Sequence, residues 1–102
     1  MTRRGEFKTP GGKLIAVELY VDDGILRNVV VTGDFFLYPE EALVLIVGAL
    51  EGSPATLAAE EYATQVRTAL GNDVEMLGSS PEAVAAAVVR ALQSDEPGGF
   101  DS

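Results

Sequence analysis

The side chains available for chemistry are few. The 102 residues include neither histidine nor cysteine, which removes the commonest general base, the commonest metal ligand and any thiolate nucleophile. A hydrolytic triad of the usual kind cannot be assembled, and no disulfide framework or cysteine-ligated cluster can form. What remains is one glycine-flanked lysine and several carboxylates. In Pro10-Gly11-Gly12-Lys13 a turn is followed at once by a cation, so backbone N–H groups and one ammonium could face a phosphate. The Gly-x4-Gly-Lys-Ser/Thr spacing of a Walker loop is missing. The plainer reading is a turn entering a strand with a solvated lysine. The functional one is that Lys13 lends positive charge to an anionic site built largely by another protein. Asp34 is the candidate carboxylate beside an aromatic patch, and it also suits a turn or cap. Asp22-Asp23 and Glu40-Glu41 could hold a hard cation in principle, but a hairpin turn and a helix N-terminus explain them better.

Charge narrows the partners. Seven basic residues face 16 acidic ones, giving a formal net charge of −9. Such a field opposes phosphate backbones, so nucleic acid is not an expected partner, and it works against binding ATP unaided. No apolar run reaches membrane-spanning length, and the two arginines near the N-terminus precede no apolar signal region. A soluble, cytoplasmic chain is expected, with one domain over residues 1–93 and a disordered acidic tail over 94–102.

The elements that must position these groups follow from periodicity. Residues 1–9 lack clear alternation and read as a partly ordered arm. From Lys13 to Val21 the chain alternates, with Ile15, Val17, Leu19 and Val21 on an apolar face. Asp23-Gly24 is a strong hairpin signal, and Ile25 to Thr32 makes an antiparallel partner rich in β-branched residues. Gly33-Asp34-Phe35-Phe36-Leu37-Tyr38-Pro39 then concentrates the aromatic mass. Phe35 and Phe36, being neighbours, leave opposite faces of an extended backbone, so only one can enter a one-sided core. Phe35 to Leu37 is expected as a short third strand. Pro39-Glu40-Glu41 opens a helix to about Leu50 that has no polar stripe. Its outer face needs cover from later helices or from another chain, which makes Leu45 and Ile46 candidate interface residues alongside Phe35, Phe36 and Tyr38. A second helix gathers Ala59, Tyr62, Ala63, Val66, Ala69 and Leu70 on one face. After a short apolar connector over Val74 to Leu77, a third buries Val84, Ala85, Val88, Ala91 and Leu92, opening with Ser79 and Glu82 at capping-box spacing. The order predicts an α+β fold, a small antiparallel sheet of two to three strands followed by three helices on one face.

Lys8-Thr9-Pro10-Gly11-Gly12-Lys13-Leu14-Ile15, Asp23-Gly24-Ile25, Thr32-Gly33-Asp34-Phe35-Phe36 and Pro39-Glu40-Glu41-Ala42, at these separations, resemble the C-terminal accessory domain of lipoate–protein ligases. In some archaea and bacteria that domain is a separate small subunit. The resemblance spans roughly residues 7 to 93, with its specific part in 8 to 42. It implies a fold akin to iron–sulfur scaffold and sulfur-acceptor proteins, although no cysteine is present for their chemistry. It also implies a non-catalytic accessory subunit that helps a catalytic partner activate lipoate with ATP to lipoyl-adenylate. On that implication Gly11, Gly12, Lys13 and Asp34 lie near the ligand, and Phe35, Phe36, Tyr38, Leu45 and Ile46 meet the partner. The chain alone binds no cofactor; lipoate and ATP-Mg belong to the complex, and the lipoyl acceptor domain is an indirect partner. The alternative is an interaction module on the same fold without a ligase role. An apolar surface left bare can pair two copies of the chain.

Overall fold

The computed structural model describes residues 2–11 and 13–93. Gly12 and the expected acidic tail over 94–102 lie outside them. Three strands, β1 (Arg3–Lys8), β2 (Leu14–Asp22) and β3 (Ile25–Gly33), form an antiparallel sheet in the order β1-β2-β3. A short strand β4 (Phe36–Tyr38) leads through a 3-10 turn (Glu40–Ala42) into α1 (Leu43–Leu50). Then come α2 (Ala59–Leu70), a short strand β5 (Glu75–Leu77) and α3 (Pro81–Gln93). The fold is the expected α+β arrangement of a small antiparallel sheet and three helices.

The β2–β3 hairpin turns where Asp23-Gly24 demands it. Both residues take positive φ, 55° and 77°, the backbone that matches the strands' twist. Ile15, Val17 and Leu19 are buried as the alternation requires. In β3 the inward set changes parity, from Leu26 to Val29 and Val31. The register explains this. Glu18 pairs with Val30 but Tyr20 pairs with Arg27, so β3 carries one extra residue. Asn28 absorbs the bulge at φ 53°, and the Asn28 and Val29 N–H groups donate to the two carboxylate oxygens of Glu51, each at 3.0 Å. A side chain just past α1 thereby replaces a missing strand.

Two expectations need correction. The N-terminal arm is a strand: Arg3 to Lys8 pair with Leu19 to Leu14 along the whole of β1. Its alternation is hidden because the inward position at its centre is Gly5. A Cβ there would lie 2.1 Å from the Ala87 carbonyl oxygen and 2.3 Å from the Ala91 nitrogen, so α3 rests directly on the strand backbone. Arg3 Nη1 donates to the Leu92 carbonyl and Arg90 Nη1 to the Glu6 carbonyl, both at 3.0 Å, closing the seam at its two ends. The Arg90 guanidinium also stands 5.1 Å over the Phe7 ring. On the opposite face Arg4 joins Glu6 and Glu18, which hold its guanidinium pKa above the ordinary value, the Glu6 hydrogen bond first.

The second correction concerns the aromatic stretch. It does form a strand, but β4 pairs with β5, not with the main sheet: Phe36 faces Leu77, Leu37 faces Met76 and Tyr38 faces Glu75. The connector over Val74 to Leu77 is its partner. The third place in the main sheet is filled by β1.

The helices cover the inner face of the sheet in two steps. The α3 helix packs on β1 and β2, α1 lies against β3, and α2 rests on α1 and α3. Tyr62 is fully buried in that last layer, and its hydroxyl donates to the Pro54 carbonyl at 2.5 Å. Burial pushes the phenol's pKa up from its usual value of 10.0. The helix that is apolar all round is covered on one side only. Ile46 and Leu50 are in the core, whereas Val44 is 71% exposed. The α3 start also differs from expectation. Ser80, not Ser79, caps the helix, its Oγ accepting from the Ala83 N–H at 3.1 Å, and Glu82 pairs with Arg67 instead of folding back on the cap. Leu92 and Ala69 are only half-buried, and Ala59, at the start of α2 where the helix has not yet reached the core, is exposed.

Candidate functional site

Lys13 stands where β1 hands over to β2. The turn is closed by the Thr9 N–H, which donates to the Lys13 carbonyl at 2.8 Å, with the Thr9 hydroxyl adding a second bond at 3.2 Å. Gly11 takes φ 98°, a conformation that suits glycine, and is open to solvent. Gly12 lies outside the described residues. Lys13 is exposed.

Because α3 lies on β1, its first residues meet this turn. A cavity of about 450 Å³ opens between them, with Phe7, Thr9, Pro10 and Lys13 on the strand side and Ser79, Ser80 and Glu82 on the helix side. The helix start contributes the positive end of its dipole. Ser79 Oγ is buried and has no hydrogen-bond partner among the described residues. The sequence pattern of Ser79-Ser80-Pro81 signals a helix start but nothing about its meeting Lys13, since 66 residues separate the two segments.

Asp34 is not in this cavity. Its backbone N–H donates to the Leu14 carbonyl at 2.9 Å, so it is tied to the strand that follows Lys13. Its side chain borders a different hollow of about 590 Å³ with Lys8, Glu6 and Arg90. The structure therefore brings Asp34 beside Lys8 and Arg90, two basic residues that carry no motif in the sequence. Lys13 faces the start of α3. Among the described residues no hydroxyl in either hollow is hydrogen-bonded to a basic side chain, and no three carboxylates gather as a bound cation would need.

The expected interface residues divide between core and surface. Phe35 is half-buried against the core, while Phe36 is 66% exposed, as their adjacency requires. Tyr38 is exposed on the same face of β4 as Phe36, two residues on. Leu45 is exposed on α1. Ile46 is not: it is fully buried, because in a helix without a polar stripe the sequence gives no phase, and the packed side proves to be that of Ile46 and Leu50. Ile46 cannot belong to a surface in this structure. Leu77, opposite Phe36 on β5, is exposed and joins the surface group. Only the pairing of two three-residue strands brings it there, so no local pattern marks it.

No protein-family model matches the chain. Nor does any curated protein sequence. Among solved structures, the chain is similar to one from an archaeal lipoylation system, a bi-partite lipoate protein ligase and its E2 lipoyl domain from Thermoplasma acidophilum. The similarity has a TM-score of 0.68 at 26% identity and covers 92% of this chain and 97% of that one. The fold is thus that of a component of a lipoylation system. No helix among the described residues is long and apolar enough to cross a membrane.

Proposed function

We propose that this chain is the non-catalytic accessory subunit of a two-part lipoate–protein ligase and assists a separate catalytic subunit in activating lipoate. The observation that carries this reading is the near end-to-end similarity to a chain of a bi-partite ligase system. The chain's own residues are consistent with a supporting role. They include no histidine, no cysteine and no Walker spacing, so a lone catalytic centre has little to work with. The net charge of −9 also opposes binding ATP alone.

Activation joins the lipoate carboxylate to the α-phosphorus of ATP and releases pyrophosphate, with negative charge spread over phosphate oxygens throughout. Lys13 and the positive end of α3 face one cavity, where Glu82 is paired with Arg67, and they lend positive potential to a site otherwise built by the catalytic subunit. Covering that site also excludes water, which protects the acyl-adenylate from hydrolysis. Lipoate and ATP-Mg are substrates of the complex, and the lipoyl acceptor domain meets this chain only through it.

The test separates the two half-reactions. Lipoylation of an acceptor domain is followed from lipoate plus ATP, and separately from preformed lipoyl-adenylate. The chain is expected to accelerate the first and to leave the second unchanged. Acceleration of neither would leave an interaction module on the same fold, without a ligase role.

A further inference from the structure

The β4–β5 ribbon has one face in the core and one in solvent, and the solvent face is apolar. Leu37 is buried on the inner face and Met76 is partly buried against the core. On the outer face Phe36, Tyr38 and Leu77 are 66%, 53% and 44% exposed. Two aromatics at i and i+2 with a leucine across the ladder form a contiguous cluster, not isolated surface residues. Beside Phe36 a groove of about 380 Å³ is lined by Val31, Thr32, Phe35, Leu37, Glu40 and Leu43, mostly apolar with one carboxylate at its edge. A protruding apolar anchor and a hollow at the edge of the ribbon therefore lie side by side at Phe36.

Its rim is acidic. Glu40 and Glu41 follow the ribbon, and Glu75 sits opposite Tyr38. Arg27 and Arg67 bracket 39 residues that contain no Lys or Arg, and none occurs between Arg67 and Arg90 either. Two copies packed face to face would set one acidic rim against another, which like-charge repulsion opposes.

The geometry points to the outer face of β4–β5 as a docking surface for a protein whose contact patch is apolar at its centre and basic at its rim. Resting on the function proposed above, that partner is the catalytic ligase subunit. Phe36 and Tyr38 are the anchors. Glu40, Glu41 and Glu75 steer the encounter and set its salt dependence. A second copy of the chain is the wrong occupant on grounds of charge.

The experiment is titration calorimetry of the catalytic subunit with wild-type chain, Phe36→Asp and Glu75→Lys at two salt concentrations. Lipoate-dependent pyrophosphate release is read on the same samples. Phe36 is mostly solvated, so its replacement leaves the core intact, which an unchanged melting temperature verifies. Phe36→Asp is expected to weaken binding at least about 10-fold. Glu75→Lys should weaken it less and reduce its salt dependence. Variants that bind and stimulate like wild type would overturn the docking surface and leave the accessory role standing. Wild type that binds through Phe36 without affecting pyrophosphate release would do the reverse. Absence of wild-type binding overturns both. A wild-type dimer in sedimentation that Phe36→Asp dissociates would assign the face to a second copy and overturn the choice of partner.

Discussion

The seam between β1 and α3 positions the cavity beside Lys13, and a single methyl group should open it. In Gly5→Ala the new Cβ would stand 2.1 Å from the Ala87 carbonyl oxygen, 2.3 Å from the Ala91 nitrogen and 2.9 Å from the Arg90 carbonyl carbon. All three are backbone atoms, so no rotamer change relieves the overlap. Strand and helix must part by nearly 1 Å before the first contact reaches the 3.0 Å floor of real Cβ contacts. Overpacking of this kind costs about 1–3 kcal/mol, and a clash with two backbone segments belongs at the upper end. Against that, alanine restricts the unfolded chain and returns about 0.4–1 kcal/mol. The net loss is about 2 kcal/mol, or a fall in Tm of about 10 °C for a domain of this size. Gly48→Ala is the control. It makes the same chemical change within α1, where a Cβ meets nothing within 4 Å, and is expected to stabilise by about 0.5–1 kcal/mol. Urea unfolding of the three proteins measures both signs. A Gly5→Ala variant within about 0.5 kcal/mol of wild type, the scatter of ordinary surface substitutions, would refute direct contact between the β1 backbone and α3.

At the start of α3, Ser80→Ala removes the capping oxygen and should cost about 1 kcal/mol. Ser79→Ala removes a buried hydroxyl with no partner among the described residues and should be neutral or slightly stabilising in the same unfolding assay. The reverse ranking would move the cap back to Ser79. Tyr62 predicts an alkaline limit. Its folded pKa lies above the unfolded value of 10.0, so its contribution is complete below pH 10 and is lost as pH rises through the folded pKa. Melting temperatures of wild type should therefore fall more steeply above pH 10 than those of Tyr62→Phe, and parallel curves would contradict the assignment. Lys13→Ala should slow activation of lipoate about 10-fold, the effect of losing about 1.4 kcal/mol of transition-state stabilisation. Transfer from preformed lipoyl-adenylate should continue unchanged. Equal loss in both steps would remove Lys13 from the activation site.

Elements that carry their own pattern were legible in the sequence. Alternation through Ile15, Val17 and Leu19, the Asp23-Gly24 turn and the buried face of α2 through Tyr62 and Val66 all stand in the structure. What failed was information held by distant partners. The strand β1 is masked by Gly5, whose missing side chain makes room for a helix 80 residues later. The pairing of β4 with β5 joins two three-residue strands nearly 40 residues apart, too short for period two to register. An apolar helix hides its own orientation, which is why Leu45 and Ile46 looked alike although one is exposed and the other buried. At the candidate site, Lys13 and Asp34 were visible as residue types. Their separation into two hollows depends on where Ser79, Ser80 and Arg90 arrive from the C-terminal helix.

The accessory role is tested most directly by lipoate-dependent pyrophosphate release from the cognate catalytic subunit, with and without this chain. Release that depends on adding the chain, and saturates at one copy per catalytic subunit, is the predicted result. The same rate with and without it, from a folded and competent catalytic subunit, would contradict the account.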